Sequence, residues 1–222
     1  MKLTVINGSP KDKKSNTKIL TDAFLKGFLK NKENRLKEYF LNSTLDDTEL
    51  QRDFIHAQAI ILAFPLYTDA MPGMVKEYFE TLESSKRVNP GIKMGFIVQS
   101  GFRESYHSIF VARYLKKVAE EFEADYLGTI IKGGVEGIQI RPSWMMKKTL
   151  NRFEKLGEKF GAGGRFDKDI IQKLSYPVKF SKLRLSIFRI AKMMNITNYY
   201  WNNQLKSNNA YEKRFDRPSK IF

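Results

Sequence analysis

KLTVINGSPKDKKSNT, residues 2–17, reads as a strand, a turn and the start of a helix in one stretch. Lys2 to Ile6 is a short, β-branched apolar run that stops at the turn cluster Asn7-Gly8-Ser9-Pro10. Ser15-Asn16-Thr17 then offers capping side chains to a helix carrying Ile19, Leu20, Ala23, Phe24, Gly27 and Phe28 at helical spacing. A glycine-containing loop that leaves a strand and enters a helix presents unpaired backbone N–H groups at the positive end of the helix dipole, which is an anion site. The hydroxyls of Ser9, Ser15 and Thr17 and the amide of Asn16 can satisfy a phosphate monoester there without a lysine point charge. The loop has neither G-x-x-x-x-G-K-[ST] nor G-x-G-x-x-G, so it points to neither a P-loop nucleotidase nor a dinucleotide site. On spacing alone, a capped helix after an ordinary turn remains an equal reading.

Working outward, Leu36–Leu41 is a second strand, and Asp46-Asp47 open a short helix through His56. Ala59–Phe64 is an uninterrupted apolar run ending in Pro65; continuous hydrophobicity marks a strand covered on both faces, as in a parallel sheet. A loop, Leu66–Met71, leads to a helix from Pro72 with Val75, Tyr78, Phe79 and Leu82 along one side. Ile92–Val98 and Tyr126–Ile131 are further strands around a helix over Ser105–Phe122. Trp144–Phe160 closes the series as a helix ended by Gly161-Ala162-Gly163-Gly164. Five strands alternating with helices predict a doubly wound α/β domain with a parallel sheet. Ligands of such sheets sit beyond the carboxyl ends of the strands, which selects Asn7–Thr17, Pro65–Met71 and Ser100–Ser105.

The 222 residues suit one domain with an appendage, here divided as residues 1–164 and a basic helical extension, 165–222. There is no cysteine, so disulfides, thiolate nucleophiles and iron–sulfur clusters are excluded, and redox chemistry falls to an organic cofactor. With two histidines, His56 and His107, no metal site is expected. The opening MKLTVINGSP turns polar too soon for a signal peptide, and no apolar run approaches a spanning length, so a cytoplasmic protein is expected.

The net charge is +15, and residues 165–222 hold 13 Lys/Arg against 4 Asp/Glu, leaving +6 for the rest. Phe180, Leu183, Ile187, Ile190, Ala191 and Met194 recur at helical spacing among Lys179, Lys182, Arg184, Arg189 and Lys192. The first reading is a helix packed on the core or on a second subunit. The second is a basic amphipathic helix on an anionic membrane surface. Nucleic acid is not expected, because no recognised motif accompanies the charge. Residues 197–222 read as irregular.

The run VINGSPKDKKSNT resembles the phosphate loop of the NADPH-dependent FMN reductases and iron–sulfur-flavoprotein-like members of the flavodoxin superfamily. FPLYTDAMPGMVKEYFE is similar to that family's strand-end P-x-Y loop, and Gln99-Ser100-Gly101-Phe102-Arg103-Glu104 to its third flavin loop. The resemblance spans about residues 1–160 and, with no cysteine, excludes the cluster-bearing branch. It implies a flavodoxin-like fold and FMN, with Ser9, Ser15, Asn16 and Thr17 on the flavin phosphate and Lys11 in the same loop. Pro65, Leu66, Tyr67 and Thr68 would line the ring, and Ser100, Gly101 and Phe102 would close its other side.

The function so implied is an FMN-dependent NAD(P)H oxidoreductase, a flavoprotein passing electrons from NADPH or NADH to a quinone, flavin or similar small acceptor. No catalytic side chain is assigned, since the cofactor carries the chemistry. Arg103 and His107 lie near the third loop, where they either touch substrate or are solvated helix-start residues. A homodimer is expected from the family. The rival readings are a flavodoxin-type electron carrier, which is typically acidic where this chain is basic, and a flavin-free binding protein acting through the tail.

Overall fold

In the computed structural model, the described residues are 1–43, 47–83, 89, 91–193 and 198–216. Asp46 and Met194, which figure in the expected elements, lie outside them. The chain divides into two compact units, Met1–Lys179 and Phe180–Phe222.

The first unit runs β1 (Lys2–Asn7), α1 (Asn16–Phe28), β2 (Arg35–Phe40), α2 (Asp47–His56), β3 (Ala59–Pro65), α3 (Gly73–Glu83) and β4 (Lys93–Gln99). It continues with α4 (Ile109–Glu121), β5 (Asp125–Lys132), α5 (Ser143–Gly163) and α6 (Lys168–Ser175). The five strands form one all-parallel sheet in the order β2-β1-β3-β4-β5. This is the flavodoxin-like α/β arrangement, with its switch in strand order between β1 and β3.

The continuous apolar strands are covered on both faces, as their composition requires. Ile60, Leu62, Phe64, Met94, Phe96 and Val98 point to one face with Val75, Phe79, Val111 and Leu115 of α3 and α4. Leu3, Val5, Ile61 and Ile97 point to the other, with Phe24, Phe28, Phe153 and Phe160 of α1 and α5. On that second face the two helices meet backbone to backbone. A Cβ at Gly157 would stand 1.8 Å from the Phe24 carbonyl oxygen, and one at Gly27 1.8 Å from that of Glu154.

Helix α5 passes through the expected stop at Gly161 and ends at Gly164, whose φ of 65° is the left-handed cap. Gly161 is there for packing, since a Cβ would meet the Asn34 amide nitrogen at 2.7 Å. The expected boundary at residue 164 falls between α5 and α6. Helix α6 belongs to the first unit's core, burying Ile170 and Leu174.

The second unit holds α7 (Lys182–Met193) and α8 (Tyr199–Ser207). The segment expected to be irregular thus contains a helix of 9 residues. Leu183, Leu185, Ile187 and Ile190 of α7 are exposed. Among the described residues no helix is long and apolar enough to cross a membrane.

Candidate functional site

Three loops leave the carboxyl ends of β1, β3 and β4 on the same edge of the sheet, and a fourth, from β5, closes on the first. The β1–α1 loop is held by its own polar side chains. Asn7 Oδ1 accepts the Ser9 N–H at 3.0 Å, and Ser9 Oγ accepts the Lys11 N–H at 3.4 Å. After a single 3-10 turn over Asp12–Lys14, Ser15 caps α1 by accepting the Lys18 N–H at 3.1 Å. Ser15 Oγ also accepts from the Asn7 side-chain amide at 3.4 Å, while Thr17 Oγ1 accepts from Gln99 Nε2 at 3.3 Å.

Ser9, Ser15 and Thr17 are buried, each hydroxyl already accepts a hydrogen bond, and each keeps a proton to donate. The backbone N–H groups of Asn16 and Thr17, in the first turn of α1, find no acceptor among the described residues. These hydroxyls and N–H groups are donors a phosphate can use; the loop also holds the Asp12 carboxylate, whose Oδ1 is buried without a hydrogen bond among the described residues. Lys11 is exposed on the rim of the loop.

The Asn16 side chain is spoken for by a segment the sequence reading passed over. Its amide donates to the Val135 carbonyl at 3.3 Å, and its oxygen accepts from Gln139 Nε2 at 3.0 Å. Gln139 also donates to the Lys14 carbonyl at 2.8 Å. Residues 133–141 thus form a fourth wall against the phosphate-type loop. Gly133-Gly134 at a strand's carboxyl end was the available signal, because that edge of a doubly wound sheet is where sites form.

The β3–α3 loop is a tight hairpin in which Tyr67 and Ala70 exchange backbone hydrogen bonds, both at 2.9 Å. Its central residues Thr68 and Asp69 hold φ of 49° and 60°, left-handed values that a β-branched threonine rarely adopts. Strain of this kind costs about 1–3 kcal/mol per residue and clusters where a loop must hold one shape. The hairpin leaves Tyr67 46 % exposed, while Pro65 and Leu66 are buried and Leu66 N–H donates to the Gln99 carbonyl at 2.8 Å.

In the β4–α4 loop, Ser100 Oγ donates to the Phe102 carbonyl at 3.2 Å and Gly134 N–H to the same oxygen at 2.7 Å. Gly133 permits this approach, since a Cβ there would sit 2.5 Å from that oxygen. Gly101 is exposed, and a Cβ on it would meet Glu136 at 3.4 Å. Phe102 is also exposed and stacks on the His107 ring, with centroids 4.3 Å apart. His107 Nδ1 lies 3.8 Å from Asp69 Oδ1, so the histidine spans from the third loop towards the second. Ser105 and Tyr106 donate their N–H groups to the carbonyls of Pro177 and Val178, both at 3.1 Å, which pins the start of this turn.

Beside this edge, burial pushes the Lys132 ammonium pKa down at the end of β5, and Arg152 and Arg141 push it the same way. A surface concavity of about 490 Å³ elsewhere is lined by Trp144, Lys147, Arg152 and Ile170 and contains no residue of the strand-end loops.

The flavodoxin-like fold family matches residues 1–156, and the chain belongs to that family. Solved structures agree on the fold. The NADPH-quinone reductase from P. pentosaceus superposes with a TM-score of 0.54 at 19 % identity, over 70 % of this chain and 96 % of that one. An FMN-dependent NADH-azoreductase from Bacillus anthracis, in complex with FMN, gives 0.57 at 15 % identity, over 72 % and 100 %. General stress protein 14 from Treponema denticola, also in complex with FMN, gives 0.55 at 16 %, over 73 % and 98 %. No curated protein matches the sequence.

Proposed function

We propose that the chain is an FMN-dependent oxidoreductase that takes electrons from NADH or NADPH and delivers them to a quinone, flavin or similar small acceptor. The observation that carries this reading is the β1–α1 loop, in which the buried hydroxyls of Ser9, Ser15 and Thr17 and the helix-start N–H groups of Asn16 and Thr17, free among the described residues, lie at the carboxyl end of β1. Structural kinship to a quinone reductase and an FMN-dependent azoreductase supports it.

Ser9, Ser15 and Thr17, with the N–H groups of Asn16 and Thr17, would bind the flavin phosphate, and Lys11 would add long-range attraction. Pro65, Leu66, Tyr67 and Thr68 would flank the ring on one side and Ser100, Gly101 and Phe102 on the other. The flavin supplies the hydride and electron chemistry that a cysteine-free chain lacks. The protein's part is to orient the ring between two loops and to exclude water with Tyr67 and Phe102. A cytoplasmic homodimer completes the proposal.

The test is an FMN titration of the purified protein followed by anaerobic addition of NADPH and then NADH. Saturable uptake, with visible absorption that bleaches on either nicotinamide, supports the enzyme. Uptake without bleaching makes the protein an electron carrier. Failure to take up FMN overturns the phosphate-loop assignment.

A further inference from the structure

Residues 170–211 contain seven Lys/Arg and not one Asp or Glu. Within that stretch α7 carries Leu183, Ile187 and Ile190 at i, i+4 and i+7, which places them on one side of the helix. They are 72 %, 57 % and 59 % exposed. Lys182 and Arg189, also seven apart, flank that stripe along one edge and Arg184 flanks it along the other, while Leu185 lies on the far side. Phe188 is engaged locally by the Phe180 ring, 5.2 Å away. Three aliphatic side chains stand in water along one stripe of a helix whose charged residues are all cations, and an exposed apolar stripe of this kind marks an interaction surface.

The chemistry of the stripe chooses that partner. Leucine and isoleucine gain by leaving water for hydrocarbon but have nothing to read on a nucleic acid, whose binding needs cations and stacking aromatics. An acidic protein groove would match the charges. The aliphatic stripe flanked by cations, without a single carboxylate in the surrounding 42 residues, instead matches a flat anionic surface with an apolar layer beneath it. We infer that α7 docks the protein on anionic lipid bilayers, lying in the interface with Leu183, Ile187 and Ile190 inward and Lys182, Arg184 and Arg189 towards the headgroups. This inference stands apart from the flavin reading, and its test needs no cofactor.

The experiment is cosedimentation of the full chain with vesicles of phosphatidylcholine containing phosphatidylglycerol, against vesicles of phosphatidylcholine alone, at low and high salt. The expected result is binding to the anionic vesicles only, weakened by salt. Leu183→Ser with Ile187→Ser should lower the partition by about tenfold or more. Lys182→Gln, Arg184→Gln and Arg189→Gln should each lower it by about fivefold. Circular dichroism of the variants separates loss of docking from loss of the fold.

Three outcomes would overturn the inference. One is no binding to anionic vesicles. A second is a dimer by light scattering that Leu183→Ser with Ile187→Ser converts to monomer while leaving vesicle binding unchanged, which would give the face to a second copy. The third is displacement from vesicles by duplex DNA at equal phosphate, which would give it to nucleic acid.

Discussion

In residues 1–179, Phe24, Phe28, Phe153 and Phe160 are fully buried, whereas in residues 180–222 Leu183, Ile187 and Ile190 stand more than half exposed. Charge divides the same way. Lys26 of α1 and Lys30 just after it pair with Glu154 of α5 at 2.9 and 3.0 Å, and Lys30 with Glu158 at 2.8 Å. Residues 170–211 contain no Asp or Glu. One region spends its large apolar groups on its own fold; the other leaves the aliphatic stripe of α7 in water.

The sharpest way to break that contrast is to truncate one side chain in each region. Phe160→Ala should lower unfolding free energy by about 3–5 kcal/mol, while Ile187→Ser should stay within about 0.5 kcal/mol. Guanidinium denaturation reads both, and equal effects would mean the exposed stripe is part of a core.

A second pair works inside α5. Gly157→Ala drives a Cβ into the Phe24 carbonyl and should cost about 1–3 kcal/mol. Gly163→Ala meets nothing within 4 Å and should be neutral or stabilise by up to about 1 kcal/mol. The two variants differ only in what faces them, and the same denaturation curves compare them.

Ser15→Ala removes the α1 cap, at a cost of about 1 kcal/mol. It should also weaken FMN binding in the titration, because the hydroxyl proton goes with it. Normal FMN affinity in this variant would leave Ser15 a purely structural residue.

The smallest effect concerns pH. Burial raises the Glu38 carboxyl pKa, and Lys18, 3.5 Å away, offsets this in part. A carboxyl whose pKa is higher in the fold destabilises the protein while ionised. Relative to Glu38→Gln, the natural protein should therefore gain stability as pH falls from neutral through the folded-state pKa, a trend that paired melting curves would show.

Much of this architecture is legible in the chain. Ala59–Phe64 and Ile92–Val98 announce two-sided burial through unbroken hydrophobicity, and Asn7–Thr17 announces a strand-to-helix turn through its glycine, proline and capping residues. Other features were hidden for identifiable reasons. Gly161 carries the local signature of a helix stop, yet it sits inside α5 because Asn34, distant in sequence, fills the space a side chain would take. Ser105–Ser108 begins as a 3-10 turn rather than as α-helix, with its first N–H groups committed to Pro177 and Val178. Gln139 and Val135 have no motif of their own; their relevance comes from reaching Asn16, more than a hundred residues earlier.

The sequence by itself determined the alternation of strands and helices, the parallel character of the sheet and the basic amphipathic tail, because each follows from period, composition and turn chemistry within a short window. Tertiary structure decided the β2-β1-β3-β4-β5 order, the close contact of α1 with α5, the fourth wall of the site and the exposure of the α7 stripe. Each of these depends on which distant residue occupies the space beside another, and a local pattern carries no record of that.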